Sequence, residues 1–87
     1  IAVTPNPFKI GSDYQIMITN IPYDSKIKIM NLSGLVVKEF VYSSNNKRIN
    51  WDGKSDSGDY LSTGIYLLTA YSALNNSTGV TKLAVVR

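Results

Sequence analysis

There is no cysteine and no histidine among the 87 residues of this chain. Thiol nucleophiles, histidine-based acid–base pairs, catalytic triads and Cys/His zinc sites are therefore all excluded, and most small-domain enzymology goes with them. Without cysteine no disulfide can staple the fold, and cysteine usage leaves the redox compartment open. Long apolar runs are missing as well. The stretch Ile65-Tyr66-Leu67-Leu68 falls far short of the ~20 residues that span a bilayer, so no transmembrane segment is expected. The first residues lack the basic-then-apolar pattern of a signal peptide, and a chain that begins at Ile1 without Met reads as a piece excised from a longer protein. Strong charge of one sign is absent too. Nine Lys and Arg stand against six Asp and Glu for a net +3, and bases scattered from Lys9 to Arg87 do not indicate nucleic acid.

What the chain does have is β-branched residues. Nine Ile, seven Val and six Thr make up about a quarter of it, in short runs separated by Gly, Pro, Asn, Asp and Ser. Residues 1–4 open as a strand. Residues 14–20 place Tyr14, Ile16 and Ile18 on one face, and residues 21–24 then supply a turn. Lys26-Ile27-Lys28-Ile29 alternates strictly, with both isoleucines toward a core and both lysines toward water. Asn31-Leu32-Ser33-Gly34 is a turn with Gly34 at a positive φ, followed by a strand over residues 36–42. A helix over 35–42 is the weaker alternative, because two adjacent valines and an Asn-rich exit disfavour it.

Residues 48–51 form another short strand, and residues 52–59, the most polar stretch, form a surface loop. Residues 64–71 are apolar on both faces, as a central strand with a neighbour on each side should be. Residues 75–79 turn the chain into a last antiparallel strand over 80–86. These are seven strands in a single domain spanning residues 1–87. The expected fold is all-β, an immunoglobulin-like antiparallel β-sandwich with Trp51 as its largest core anchor.

Chemistry-bearing clusters are few, and no cofactor is expected. Asp52, Asp56 and Asp59 invite a calcium reading, since Ca²⁺ takes several carboxylate and carbonyl oxygens on a flexible loop. Their spacing does not match an EF-hand. The favoured reading is a turn whose Asp and Ser side chains bond the loop's own backbone. Asp13 and Asp24 cannot be joined to this cluster by sequence. Tyr23, Tyr60, Tyr66 and Tyr71 suggest an aromatic platform for sugar or single-stranded nucleic acid, against the plainer reading of half-buried strand tyrosines.

Several local signatures also follow one another in a telling order. They are Pro5-Asn6-Pro7-Phe8, the strand from Tyr14, Asn31-Leu32-Ser33-Gly34-Leu35-Val36-Val37, Trp51-Asp52-Gly53, Gly64-Ile65-Tyr66-Leu67, and Lys82-Leu83-Ala84-Val85-Val86-Arg87. Together they span nearly the whole chain and resemble the C-terminal sorting domain of type IX secretion cargo in the Bacteroidota. That domain is similar to the immunoglobulin-like module of the flagellar hook-capping protein, which shares the Trp-Asp-Gly segment. Each signature has a physical reason of its own. Pro5 and Pro7 hold the start of the domain extended, Gly34 permits a tight turn, and Gly64 lets a strand begin close against its neighbour.

The resemblance implies a non-enzymatic secretion signal. Such a domain directs an upstream passenger, already in the periplasm, to the outer-membrane type IX translocon and its cargo carrier, and so to the cell surface. A sortase commonly removes it and joins the passenger to anionic lipopolysaccharide. On this footing the signal residues are Pro5, Asn6, Pro7, Gly34, Val37, Gly64, Tyr66, Lys82, Val85 and Arg87. The hairpin of residues 64–71 and 80–87 is the expected recognition element, binding through exposed strand backbone and Lys82, since a terminal signal should end flush with its last strand. The residue 52–59 loop is typical of the hook-cap-like subset. The alternative is a retained immunoglobulin-like accessory module that binds a glycan or a protein.

Overall fold

The computed structural model describes residues 1–13, 15–22, 24–42, 48–72 and 76–87. Tyr14, Tyr23 and Asn75, each given a strand, platform or turn position above, lie outside the described residues. Among the described residues there are eight strands: β1 (Ala2–Thr4), β2 (Phe8–Lys9), β3 (Ile16–Thr19), β4 (Ser25–Asn31), β5 (Val36–Tyr42), β6 (Arg48–Trp51), β7 (Gly64–Ser72) and β8 (Ser77–Val86). Among the described residues no helix is long and apolar enough to cross a membrane.

Two sheets pack face to face, one ordered β1-β3-β6 and the other β2-β8-β7-β4-β5. Every pairing is antiparallel except that of β2 with β8, which is parallel. The order matches the immunoglobulin-type sandwich, with β4, β7 and β8 as its C, F and G strands and β1, β3 and β6 as A, B and E. The strand that opens the domain therefore divides. Its first part, β1, pairs with β3 in one sheet, and its second part, β2, crosses to β8 in the other.

This crossing accounts for the first departure from the sequence reading, which held seven strands, all antiparallel. A two-residue strand has no period to read, and its parallel partner lies at the far end of the chain. The last turn is shorter than expected as well. Ser77, Thr78 and Gly79 pair with Ser72, Tyr71 and Ala70 as part of β8, because ladder bonds come from backbone and tolerate polar side chains wherever the strand is exposed.

Alternation fixes which faces meet. Ile16 and Ile18 of β3, Ile27 and Ile29 of β4, Leu68 and Ala70 of β7, and Leu83 of β8 are fully buried, joined by Phe8, Ile21, Trp51, Leu61, Tyr66 and Val85. Lys26 and Lys28 face water as expected. Where β4 meets β5 the register shifts between Ile29 and Met30, so that Val36 pairs with Met30 and Lys38 with Ile29. Val37 is the residue left over, the extra member of a β-bulge in this edge strand.

Candidate functional site

The β4–β5 turn is organised by Asn31. Its side-chain Oδ1 accepts from the backbone N–H groups of Ser33 and Leu35, both at 3.0 Å. The Gly34 N–H donates to the Asn31 carbonyl at 3.0 Å, and Gly34 has a φ of +86°. Only glycine holds that conformation without strain, so the turn expected here is present for the reason given. Gly64 differs. A side-chain carbon built on it would meet nothing nearer than the Tyr66 ring at 4.0 Å, an ordinary contact. No close approach requires glycine there.

Pro5-Asn6-Pro7 is not extended. The segment runs through three bends, with cis peptide bonds before both prolines, and carries the chain from β1 to β2. Its middle residue makes the contact of greatest consequence. The Asn6 Nδ2 donates to the Lys82 carbonyl at 2.8 Å, and its Oδ1 accepts from the Ala84 N–H at 3.0 Å. One carboxamide thus satisfies an acceptor and a donor on the outer edge of β8, as the backbone of a paired strand would. Just beyond, β2 pairs with Val85 and Val86, and the Ile10 N–H donates to the Val86 carbonyl at 2.8 Å. The strand edge expected to be open for recognition beside Lys82 is therefore occupied by the domain's own residues.

The Trp51-Asp52-Gly53 segment is built around the core. The Trp51 indole is buried, and its Nε1 donates to the Lys54 carbonyl at 2.8 Å. Asp52 Oδ1 accepts from the Lys54 N–H at 3.0 Å. Gly53, at φ +83°, lies so close to Phe8 that a β-carbon would sit 2.8 Å from the ring. Farther on, the Ser55 N–H donates to the Asp59 carbonyl at 2.8 Å, and the Asp56 N–H donates to the Val37 carbonyl at 2.9 Å. Asp56 Oδ1 also stands 3.1 Å from Lys38 Nζ. The loop thus lies along the β5 edge and takes up the bulge carbonyl. Asp52, Asp56 and Asp59 do not converge, and among the described residues no group of three acidic side chains is placed to hold a metal ion.

The other residues named from sequence fall in distinct places. Tyr66 is buried, and its hydroxyl donates to the Ser62 carbonyl at 2.8 Å. A tyrosine at the start of the F strand bonding back to backbone a few residues upstream is the tyrosine corner of immunoglobulin-like folds. Val85 is buried beside Phe8, and the Arg87 N–H donates to Thr63 Oγ1 at 3.0 Å. Among the described residues, Tyr60, Tyr66 and Tyr71 form no platform. Tyr66 points inward, Tyr71 is exposed on β7 with its hydroxyl on Asn76 Oδ1 at 3.3 Å, and Tyr60 stacks under the Lys54 amine at 5.0 Å.

Tyr60 also borders an open depression of about 300 Å³, together with Phe8, Ile10, Ser12, Asp13 and Asp52. Sequence gave no sign of this depression, because it joins the loop after β2 to the loop after β6. Asp13 is held on its rim by accepting the Lys9 N–H at 2.7 Å. The depression combines one aromatic face with two carboxylates, a surface suited to polar or cationic groups.

Fold and site together define a sandwich of the immunoglobulin-like class, its five-stranded sheet flanked at both edges by other segments of the same domain. No protein-family model and no curated protein matches the chain. Among solved structures, it is similar to part of PorZ, an essential bacterial surface component of the type IX secretion system of Porphyromonas gingivalis. The likeness has a TM-score of 0.83 at 19% identity, covering 99% of this chain and 11% of that one. At that identity the likeness establishes a shared fold. The chain spans about a tenth of the length of the protein it matches.

Proposed function

We propose that this chain is a non-enzymatic module of type IX secretion, which addresses a passenger joined to it from the periplasm to the outer-membrane translocon and its cargo carrier, and so to the cell surface. The observation that carries this reading is the match of nearly the entire chain to one part of a surface component of that secretion system. The order of the sequence signatures supports it independently. The absence of histidine and cysteine removes the commonest nucleophile–base pairs, which favours the non-enzymatic reading.

A second reading is favoured by one particular of the same match. PorZ is itself described as a component at the bacterial surface, which supports a domain that stays attached as an accessory module rather than one removed by a sortase. Both readings are tested by fusing the 87 residues behind a signal peptide and a fluorescent passenger, in paired hosts with and without a working type IX translocon. Export to the surface in the competent host alone is the expected result. Intact mass of the exported fusion then separates a retained domain from a cleaved one. A passenger that stays periplasmic in both hosts, with the domain folded, would overturn the sorting reading.

A further inference from the structure

The outer face of the five-stranded sheet is where the molecule leaves apolar surface uncovered. Val41 of β5 is 79% exposed and Val80 of β8 61%. Ile65 and Tyr71 of β7, Val36 of β5 and Val86 of β8 are exposed beside them. The register sets lysines among these residues in a fixed pattern. Lys26 lies between Val41 and Tyr71, Lys28 is directly across from Thr69, which pairs in turn with Val80, and Lys82 is across from Leu67. The five aspartates lie in loops, and Glu39 is the acidic side chain among the described residues of this face, its Oε1 3.9 Å from Lys26 Nζ. The face is thus both apolar and basic, which a merely solvated sheet surface does not need to be.

We propose that this face docks a protein partner whose contact surface is apolar and acidic. Charge complementarity selects the occupant. A second copy presenting the same face would bring lysine against lysine, a juxtaposition that opposes association. Four of the six exposed apolar side chains are short valines, which offer little to insert into a bilayer, where large apolar side chains anchor. Lys26 and Lys28, two residues and about 7 Å apart on β4, and Lys82, two strands and roughly 10–12 Å away on β8, match carboxylates spaced over a folded surface. Strand edges offer less, because Asn6 and β2 occupy the β8 edge and the Asp56 amide takes up the Val37 carbonyl on β5. The inference rests on this face alone and stands or falls separately from the secretion reading.

The test is a titration of the ¹⁵N-labelled 87-residue chain with a short peptide alternating Glu and Leu. A Lys/Leu peptide and phosphatidylglycerol vesicles serve as the two competing probes. Saturable amide shifts at Lys26, Lys28, Leu67, Tyr71, Val80 and Lys82 are expected with the acidic peptide, weakened about tenfold or more in Lys28→Glu/Lys82→Glu. Unmoved amides of the buried Ile27 and Leu68 show that the variant is folded; should it not fold, Lys28→Gln/Lys82→Gln takes its place. Equal binding of the Lys/Leu peptide, shifts confined to the β5 edge, or response to vesicles without response to the peptide would each overturn the proposal.

Discussion

The two edges of the five-stranded sheet are both shut, by different means. At β8 a single carboxamide, on Asn6, and a two-residue strand do the work. At β5 a loop is laid alongside, its Asp56 N–H on the bulge carbonyl of Val37, while Lys38 on the core-facing side of the strand pairs with the Asp56 carboxylate. Inward-placed charge, bulges and covering loops are the devices by which sheet proteins avoid edge-to-edge association. The β8 device is compact and depends on one side chain. The β5 device is spread over a loop rooted in the core at Trp51 and Gly53, so it fails only when that root fails. With neither edge free over these stretches, the face between them is where the exposed apolar and basic side chains of this sheet lie.

Substitutions at the root of the loop should have the largest effect. Trp51→Ala removes a buried indole and the bond from Nε1 to the Lys54 carbonyl. The expected cost is about 3–5 kcal/mol, close to the whole stability of a small disulfide-free domain. Urea unfolding followed by circular dichroism measures it, since the variant lacks the indole fluorophore. Gly53→Ala meets the Phe8 ring at 2.8 Å with a positive φ and should cost about 2–4 kcal/mol. The same unfolding curves give the value, and a change near wild type would show that Phe8 yields easily.

Asn6→Ala attacks the other edge. It removes two hydrogen bonds and should cost about 1–2 kcal/mol, with a rise in self-association visible by light scattering as β8 becomes available for pairing. Asp56→Ala removes one partner of an ion pair whose carboxylate is 59% exposed, while leaving the backbone N–H on Val37. The expected loss is below about 1 kcal/mol and shrinks further in high salt. Should Asp56→Ala destabilise more than Asn6→Ala, the contrast between a one-residue closure and a distributed one would be wrong.

Sequence disclosed one part of this arrangement and hid the other for a physical reason. The alternation of Ile16, Ile18, Ile27 and Ile29 is a local period of two, legible without any knowledge of partners, and it gave the sandwich and its core. Gly34 and the Trp51 anchor were legible because each is set by its immediate neighbours or its bulk. Asn6 was singled out only by its place in a recurring motif, because the groups it binds lie more than seventy residues away. The two adjacent valines argued only against a helix, and nothing local says that Asp56 will meet Val37. Tyr66 was named from sequence, but not for the corner it forms, although a tyrosine just inside the strand after the E–F connection is a recognisable feature of this fold. Three of the residues read as signal because of family resemblance also have structural places: Gly34 in the β4–β5 turn, Tyr66 at the tyrosine corner and Asn6 on the β8 edge.

Closure of the β8 edge is central, since an open edge would offer a partner strand a place to pair. The amide of Ala84 tests this most directly, by hydrogen exchange in wild type and in Asn6→Ala. Bonded to Asn6 Oδ1, that amide should exchange slowly in the wild type and about tenfold or more faster in the variant, with the amides of buried Leu68 and Ile27 little changed. Exchange of Ala84 at the same rate in both proteins would show that Asn6 does not close the edge, and would return β8 to consideration as the surface that a partner strand joins.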